Sequence, residues 1–375
     1  MKYIDMHCDT ISEIWYSHLR GENKSLRQND LMIDLEKLQK GDCLCQNLAL
    51  YVDLHRRADF VENPSEPGEE PIRTPYSNIS SETATGTSHV PAHANPEAPE
   101  YLDSWYTVSC LVKTFQEELA ANSDLVAQAR TGAEIRSNLK AGKLSALLSI
   151  EEGGCCMGSL EHLRSLYDAG ARMMTLTWNY ENELASPNHP CKERYFSFDP
   201  QRDQENHGLK ERGIEFVEAM DDMGMLVDVS HLSDAGFYDV CRIVKGPFVA
   251  SHSNARAVCG CSRNLTDDMI RSLAEHGGVM GLNFCPEFLE PKDQDPRQTL
   301  DAIAAHARHI INVGGRECIG IGTDFDGIGG LLDYGTADRM GVLAEGLSEK
   351  GFTQEEIEGI FYKNVLRVYD DVLHA

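Results

Sequence analysis

Short apolar runs recur along the chain, and stretches with a helical spacing of apolar residues separate most of them. Runs of this length that are rich in β-branched residues and lead into helical patterns are typical of buried parallel strands. Eight such runs are present, near residues 3–7, 45–52, 144–151, 171–177, 225–231, 247–252, 278–284 and 318–324. Alternation of strand and helix predicts a parallel sheet, and eight such units close into a (β/α)8 barrel, the TIM-barrel architecture.

The stretches between these runs carry the signals that start and stop helices. In Ser159–Ala169 the apolar residues are three and four positions apart. In Thr266–His276 the first residue predicts an N-cap, two aspartates follow it, and Gly277-Gly278 predicts the end. Another helix is predicted from Gln298 to Gly314, and the last helix begins with a capping box at Thr353–Glu356.

Five of the apolar runs lead into side chains of the kind that bind metal ions. The run at Tyr3 leads into His7-Cys8-Asp9, and the others end at Glu151, His231, His252 and Asp324. In a parallel barrel the carboxyl ends of the strands share one rim, and the active site lies there. Three histidines and three carboxylates on one rim predict a metal-dependent hydrolase.

Each of these residues taken alone has an ordinary structural explanation. A histidine at a strand end usually satisfies a local hydrogen bond, and a carboxylate there often caps the next helix. His7 and Asp9 are two positions apart and so point the same way, and an imidazole with a carboxylate suits Zn²⁺. Five candidate ligands at four strand ends of one barrel together predict a metal centre.

The number of ligands predicts two zinc or similar divalent ions per chain. One ion would be held by His7, Asp9 and Glu151, and the other by Glu151, His231 and His252, because the two oxygens of a carboxylate can serve different ions. Two such cations lower the pKa of a shared water and polarise a carbonyl oxygen. This is machinery for the hydrolysis of an amide or an ester.

Net charge and hydropathy limit the kinds of partner and the cellular compartment that we expect for this protein. The 375 residues carry a net charge of -26, which disfavours nucleic acid and anionic membranes as partners but not a small zwitterionic substrate. No apolar stretch reaches the 18 residues or so that a transmembrane helix needs. Met1–Asp5 leads directly into the first strand and leaves no room for a signal peptide, so we expect a cytoplasmic protein whose 12 cysteines are reduced.

One segment departs from the alternation of strand and helix. Residues 62–100 contain seven of the chain's 14 prolines and little apolar content. We expect a single catalytic domain over residues 1–375 with a Pro/Ser/Glu-rich insertion at 62–100. The composition favours an irregular surface segment, and a lid or a dimer contact is the alternative.

The motifs that carry the candidate ligands resemble those of a known family, the membrane (renal-type) dipeptidases, or peptidase family M19. The resemblance covers nearly the whole chain apart from the insertion. It rests on Asp5-Met6-His7-Cys8-Asp9, Leu148-Ser149-Ile150-Glu151, Leu226–His231, Ser251-His252-Ser253, Ser262-Arg263-Asn264-Leu265 and Gly322–Gly327. Glu151 and Glu152 compete for the family's bridging glutamate, and Glu151 brings the downstream stretch from Leu160 to Gly170 into the family pattern without a gap.

The resemblance implies a dinuclear zinc dipeptidase that cleaves L-Xaa-Xaa dipeptides and tolerates a D residue on the C-terminal side. Arg263 would hold the C-terminal carboxylate of the dipeptide, for which a guanidinium fork is well suited. Asp324 would be the catalytic acid and base, and it could also contact the free amino group of the substrate. Asp326 lies two positions further on and is a weaker candidate for either task. The family also suggests a homodimer.

The chain departs from the renal-type pattern after the fourth predicted barrel strand. Where those members carry a histidine that stabilises the tetrahedral intermediate, this chain has Trp178. An indole N–H donates one hydrogen bond but carries no positive charge. We therefore expect Trp178 to line the substrate pocket and the metal ions to polarise the carbonyl.

Two other classes of function are compatible with such a barrel. A deaminase or lactonase of the amidohydrolase type would typically open with His-x-His rather than His-x-Asp, and some members bridge with a modified lysine. A protein that binds metal without catalysis would not need Asp324. The Glu151 bridge and Arg263 disfavour the first alternative, and the complete ligand set with Asp324 disfavours the second.

Overall fold

The computed structural model describes residues 1–54, 104–188, 207–290 and 296–374. The predicted insertion at 62–100 lies outside the described residues. The strands of the described parts are β1 (Tyr3–Asp5), β2 (Cys43–Tyr51), β3 (Val126–Gln128), β4 (Leu144–Glu151), β5 (Ala171–Thr175), β6 (Leu226–Asp228), β7 (Val249–Ala250), β8 (Val279–Leu282), β9 (Arg297–Gln298), β10 (Ile319–Ile321) and β11 (Leu331–Leu332).

Helices surround these strands. They are α1 (Thr10–Leu19), α2 (Leu35–Lys40), α3 (Ser104–Ala121), α4 (Gly132–Lys140), α5 (Leu160–Ala169), α6 (Glu211–Met223), α7 (Asp234–Ile243), α8 (Asp267–Glu275), α9 (Pro286–Leu289), α10 (Leu300–Gly314), α11 (Met340–Glu349), α12 (Gln354–Glu358) and α13 (Asn364–Val372). A π-helical turn, Gly359–Lys363, joins the last two. None of the described helices combines the length and the apolar character needed to cross a bilayer.

Eight parallel strands form a closed barrel, in the order β1, β2, β4, β5, β6, β7, β8 and β10 around the ring. The ring closes where β1 pairs with β10 through Asp5 and Ile321. All eight predicted runs are barrel strands, so the predicted (β/α)8 architecture is confirmed. Most strands are shorter than the runs, and β3, which pairs with the start of β4, was not predicted.

The predicted helix signals lie where the helices begin. The side chains of Ser159, Thr266, Thr299 and Thr353 accept hydrogen bonds from backbone amides three residues further on. The capping box at Thr353 is formed in both directions, since Glu356 accepts from the Thr353 amide at 2.8 Å. The helix predicted to start at Gln298 starts at Leu300, because Thr299 provides the cap.

Alternation along β4 separates two hydrophobic layers. Leu147 packs inside the barrel with residues such as Met173 and Val249. Its neighbours Leu148 and Ile150 belong to the larger layer between the barrel and the helices. All eight residues of the strand are buried, as expected for a parallel strand covered on both faces. The cysteines of the described residues form no disulfide, and most of them are buried.

A buried histidine joins α10 to the loop that follows β7. His306 Nδ1 accepts a hydrogen bond from the Ala255 amide at 3.1 Å, and Nε2 donates to the Leu289 carbonyl at 3.0 Å. The neutral ring satisfies both partners, and the side chain is fully buried. Burial accordingly lowers the pKa of His306 to about 4.

The neutral state of His306 predicts a stability that decreases in acid. As the pH falls below 6.5 the unfolded chain binds a proton on this ring, whereas the folded chain does so only near pH 4. Between pH 7 and pH 5 the free energy of unfolding should therefore fall by about 2 kcal/mol more in the parent than in a His306→Gln variant. Chemical denaturation at both pH values measures the difference, and an identical pH dependence would contradict it.

Candidate active site

Six side chains meet at the rim formed by the carboxyl ends of the barrel strands, and we call them the rim cluster. Its members are His7, Asp9, Glu151, His231, His252 and Asp324. Glu151 ends β4 and shares the inner face of that strand with Leu147, because residues an even number of positions apart point the same way. The alternation that buries Leu147 inside the barrel thus also directs Glu151 into the rim.

Glu151 lies at the centre of the rim cluster and presents one oxygen to each side. Its Oε2 is 3.4 Å from His7 Nε2. Its Oε1 is 3.1 Å from His231 Nε2 and 3.6 Å from His252 Nε2. The neighbouring carboxylate, Glu152, points instead toward the Gly154 amide and toward the Trp178 amide and Asn182 side chain of the loop after β5.

Hydrogen bonds on the far side of two imidazoles fix their tautomers. Asn179 Oδ1 is 3.1 Å from His231 Nδ1, so this nitrogen carries the proton. Ser251 Oγ donates to the Asp228 carboxylate and is 2.7 Å from His252 Nδ1, which must then be the donor of that contact. Both Nε2 atoms are therefore unprotonated, and they lie 2.9 Å apart.

The other side of the rim cluster contains two aspartates around His7. His7 Nε2 is 3.6 Å from Asp9 Oδ2 and 3.9 Å from Asp324 Oδ1. A Cβ atom at Gly327 would lie 2.2 Å from Asp9 Oδ2 and 2.8 Å from Asp324 Oδ1. Only glycine at this position leaves room between the two carboxylates.

Burial and mutual repulsion shift the charges of the cluster. Burial opposes a charge on His7, but the Glu151 and Asp9 carboxylates outweigh it and raise the pKa of His7 well above 6.5. Burial, aided by the nearby Arg263, lowers the pKa of His231 to about 4. Burial, partly offset by His7, raises the pKa of Asp324 to about 6. The carboxylates thus favour a positive charge at His7, although this side chain is fully buried.

These features fit divalent metal ions. Both ring nitrogens of His7 and Oδ1 of Asp9 are buried without a hydrogen-bond partner. Lone pairs of two imidazoles and a carboxylate also face one another with no proton between them, which only a cation makes favourable. Two sets have ligand atoms within 4.8 Å of one another, namely His7 with Glu151 and His252, and His7 with Asp9 and Asp324.

Arg263 lies directly beside the cluster and is 1% exposed. Its Nη2 is 3.1 Å from His231 Nε2, and its guanidinium also donates to the carbonyls of Ser230 and His252 and to the Ser253 hydroxyl. Its Nε has no partner, and among the described residues no carboxylate pairs with it. The positive charge of this side chain is therefore not neutralised by an ion pair.

Trp178 forms an aromatic wall next to the histidines. Its ring lies 6.2 Å from that of His231 and packs against Tyr51 at 5.0 Å and Tyr180 at 5.4 Å. The side chain is partly exposed, whereas most of the cluster is buried. All eight residues singled out from the sequence as site residues consequently lie in one region of the rim.

Asp326 lies apart from the rim cluster. Its carboxylate accepts hydrogen bonds from the Thr10 hydroxyl and the Met32 amide, both at 2.6 Å, and so anchors the loop before α2. It is fully engaged with these structural partners, whereas Asp324 is directed at His7.

Several residues that support the cluster were not predicted from the sequence. Asp5 accepts hydrogen bonds from the Thr323 amide at 2.9 Å and hydroxyl at 2.7 Å, and so links the strand ends that carry His7 and Asp324. Asn283 donates to Asp324 Oδ2 at 2.8 Å. The only sequence signal for Asp5 is a carboxylate inside an apolar run, and Asn283 gives none.

Comparison with known proteins identifies a family that matches the full length and relatives that match parts of the chain. The sequence profile of the membrane dipeptidase family (peptidase family M19) matches residues 1–375. The chain is 35% identical over 232 residues to an uncharacterized dipeptidase of Schizosaccharomyces pombe, a match that spans 61% of this chain and 53% of the relative. It is 29% identical over 351 residues to the dipeptidase aclJ of Aspergillus oryzae, spanning 92% of this chain and 70% of the relative.

A solved structure shares the fold. A metallopeptidase from Rhodobacter sphaeroides, liganded with a phosphinate mimic of the dipeptide L-Ala-D-Ala, superposes with a TM-score of 0.79. The two are 22% identical, and the superposition covers 99% of each chain. The similarity therefore extends to the whole barrel.

Proposed function

Because the chain belongs to the membrane dipeptidase family, peptidase family M19, we propose that it hydrolyses the peptide bond of dipeptides at the rim cluster. The observation that carries this proposal is the position of Glu151. Its two oxygens face different sets of imidazole nitrogens, at 3.1 to 3.6 Å. A carboxylate in this position is suited to join two ions, and residues 1–375 would then form a single catalytic domain.

Two divalent ions, zinc or similar, would be held by these side chains. His7, Asp9 and Glu151 would hold one, and Glu151, His231 and His252 the other. When bound, such a pair lowers the pKa of a nearby water and polarises the scissile carbonyl. Asn179 and Ser251 keep the ring nitrogens of His231 and His252 in the tautomer that a metal ligand requires.

Asp324 would transfer the proton. It is the most exposed carboxylate of the rim cluster, at 14% of its side chain, so it can reach an attacking water. Asn283 fixes one carboxylate oxygen and leaves the other directed toward the cluster. Burial raises the pKa of Asp324 to about 6, closer to neutral pH, which suits a group that must both accept the proton of the water and return it to the leaving amine.

Arg263 would bind the free carboxylate of the dipeptide. Its guanidinium is buried next to His231, and its present partners are neutral acceptors. A substrate carboxylate would supply the counter-charge that the described residues lack, with bidentate geometry. We propose L-Xaa-Xaa dipeptides as substrates, with tolerance for a C-terminal D residue. The L-Ala-D-Ala mimic bound to the Rhodobacter sphaeroides structure supports that tolerance.

Metal content and turnover measured on one sample test this proposal. Mass spectrometry should find about two zinc-like ions per chain, and the same sample should cleave both L,L and L,D dipeptides. A chelator should abolish turnover, and added Zn²⁺ should restore it. Full activity in the chelated protein, with no ion bound, would contradict the proposed chemistry.

Replacement of Trp178 tests whether its indole N–H acts on the developing oxyanion. Because we assign Trp178 to the pocket wall, Trp178→Phe should keep kcat within about tenfold, whereas loss of a true oxyanion donor costs roughly 10²–10³. Preference among substrate side chains should shift, since the wall changes shape. Steady-state kinetics on a series of dipeptides measures both effects. A thousandfold fall in kcat at constant KM would instead make the indole N–H a catalytic donor.

A further inference from the structure

The residue after Glu151 has a backbone conformation that favours glycine. Glu152 has φ 88° and ψ 84°, in the left-handed region that side chains with a Cβ rarely adopt. A glycine would take this conformation without the strain of roughly 1–2 kcal/mol that other residues incur. The glutamate side chain must therefore contribute something that offsets this strain.

The Glu152 carboxylate is fully buried and accepts three hydrogen bonds. Oε1 accepts from the Gly154 amide at 2.7 Å and from Asn182 Nδ2 at 2.5 Å. Oε2 accepts from the Trp178 amide at 2.9 Å. Two of the three donors belong to the loop after β5, so the carboxylate binds that loop to the end of β4.

Asn182 extends this connection through the loop. Its amide group also donates to the Leu176 carbonyl at 2.8 Å, and its Oδ1 accepts from the Leu184 amide at 2.7 Å. The loop packs closely, since a Cβ at Gly153 would lie 3.0 Å from the Leu176 carbonyl oxygen. The carboxylate and the amide together therefore hold residues 176–185 against the rim.

The held loop carries two side chains that face the rim cluster. Trp178 forms the partly exposed wall beside His231, and Asn179 contacts the Nδ1 of that histidine. The backbone amide that Glu152 binds is that of Trp178 itself. A shift of this amide would move the indole wall directly.

We propose that Glu152 is a positioning residue that sets the side-chain preference of the dipeptide site by fixing the backbone of Trp178. The inference rests on the proposed function, because it names the substrate preference of the same site. Glu152 touches no substrate. It acts through the loop of residues 176–185 and thereby through the aromatic wall.

Kinetics of Glu152→Gly test the proposal, because glycine accepts the backbone conformation and removes only the carboxylate. The ratio of kcat/KM for Ala-Ala to that for Phe-Ala or Ala-Phe should shift by about tenfold, within the range that pocket contacts determine. Glu152→Gln, which keeps the size but replaces one acceptor oxygen with an amide group, should shift it in the same direction. In a Trp178→Ala background Glu152→Gly should cause less than about twofold further change, since residues that act together are not additive.

Asp326→Asn provides the matched control. Like Glu152, Asp326 has a positive φ and a carboxylate that accepts a hydrogen bond from a backbone amide, but it anchors a different loop. The Asp326→Asn variant should leave the ratio of kcat/KM values between these dipeptides unchanged. An equal shift in the control, or a Glu152→Gly shift that persists without Trp178, would overturn the proposal.

Fluorescence separates this inference from the proposed function. The signal of Trp178 is obtained by subtracting that of Trp178→Phe, because the chain has only three tryptophans. Acrylamide should quench Trp178 more strongly in Glu152→Gly and Glu152→Gln than in the parent, and metal content should not change. A parent without any dipeptide turnover would refute the proposed function, whereas unchanged quenching would refute the positioning role of Glu152.

Discussion

Replacing Glu151 with glutamine should abolish nearly all turnover and reduce the metal content. Glutamine keeps the volume of the side chain but presents an NH₂ group to one of the two sets of histidines, and an NH₂ group is not a metal ligand. The loss in kcat should exceed the roughly 10²–10³ that follows removal of a single oxyanion donor, because the centre itself is affected. Mass spectrometry should find at most one ion per chain in the variant.

The fold should tolerate this change. Glu151 ends its strand at the rim, so the apolar layers on either side of β4 stay intact. Thermal unfolding of the metal-free variant should match that of the metal-free parent. Glu152→Gln is the control for metal binding and should retain both ions, because its carboxylate points toward the loop after β5. Full metal content and activity in Glu151→Gln would show that Glu151 is not a metal ligand.

Replacing Arg263 with alanine should weaken binding of free dipeptides strongly. A hydrogen bond to a charged group contributes about 1.5–3 kcal/mol, so loss of a bidentate contact should raise KM by roughly 10²-fold or more. Dipeptide amides, which lack the carboxylate, should be poor substrates of the parent. The variant should discriminate much less between the acid and its amide.

The ratio of acid to amide distinguishes substrate recognition from structural damage. Removal of Arg263 also deprives the Ser230 and His252 carbonyls of a donor, which affects both substrates alike and cancels in the ratio. Arg263→Lys keeps a charge without the planar fork and should recover only part of the discrimination. A parent that cleaves acid and amide equally well would exclude this role.

Most of the barrel was predictable because its strands are short, apolar and buried on both faces. The run at 144–151 coincides with β4, where every residue is buried. By contrast, the run at 247–252 contains only two residues of β7, Val249–Ala250, because Pro247 and Phe248 precede the paired segment and the polar Ser251 and His252 follow it. β3 was missed because only Val126 of its three residues, Val126–Gln128, is buried, and so short a strand has no apolar periodicity.

The candidate ligands were also predictable, since barrel geometry brings strand ends together whatever their separation in sequence. The residues that orient them were not, because each depends on a contact between distant segments. Asn179 reaches His231 across 52 positions, and Asn283 reaches Asp324 across 41. The choice between Glu151 and Glu152 illustrates the same limit. Both carboxylates follow the same apolar run, and the alternation along β4 together with the left-handed backbone at Glu152 directs their side chains apart.

The junction between β1 and β10 has a consequence for how the molecule forms. Asp5 and Thr323, whose contact holds this junction, are 318 positions apart. During synthesis His7 and Asp9 are therefore made long before residues 319–326, and they cannot reach their final neighbours until that later segment has left the ribosome. Until then β1 and β8 each leave an unpaired edge, the kind of surface on which partly folded chains associate. Long-range closure of this kind is slow, so we expect the rim to assemble late in folding.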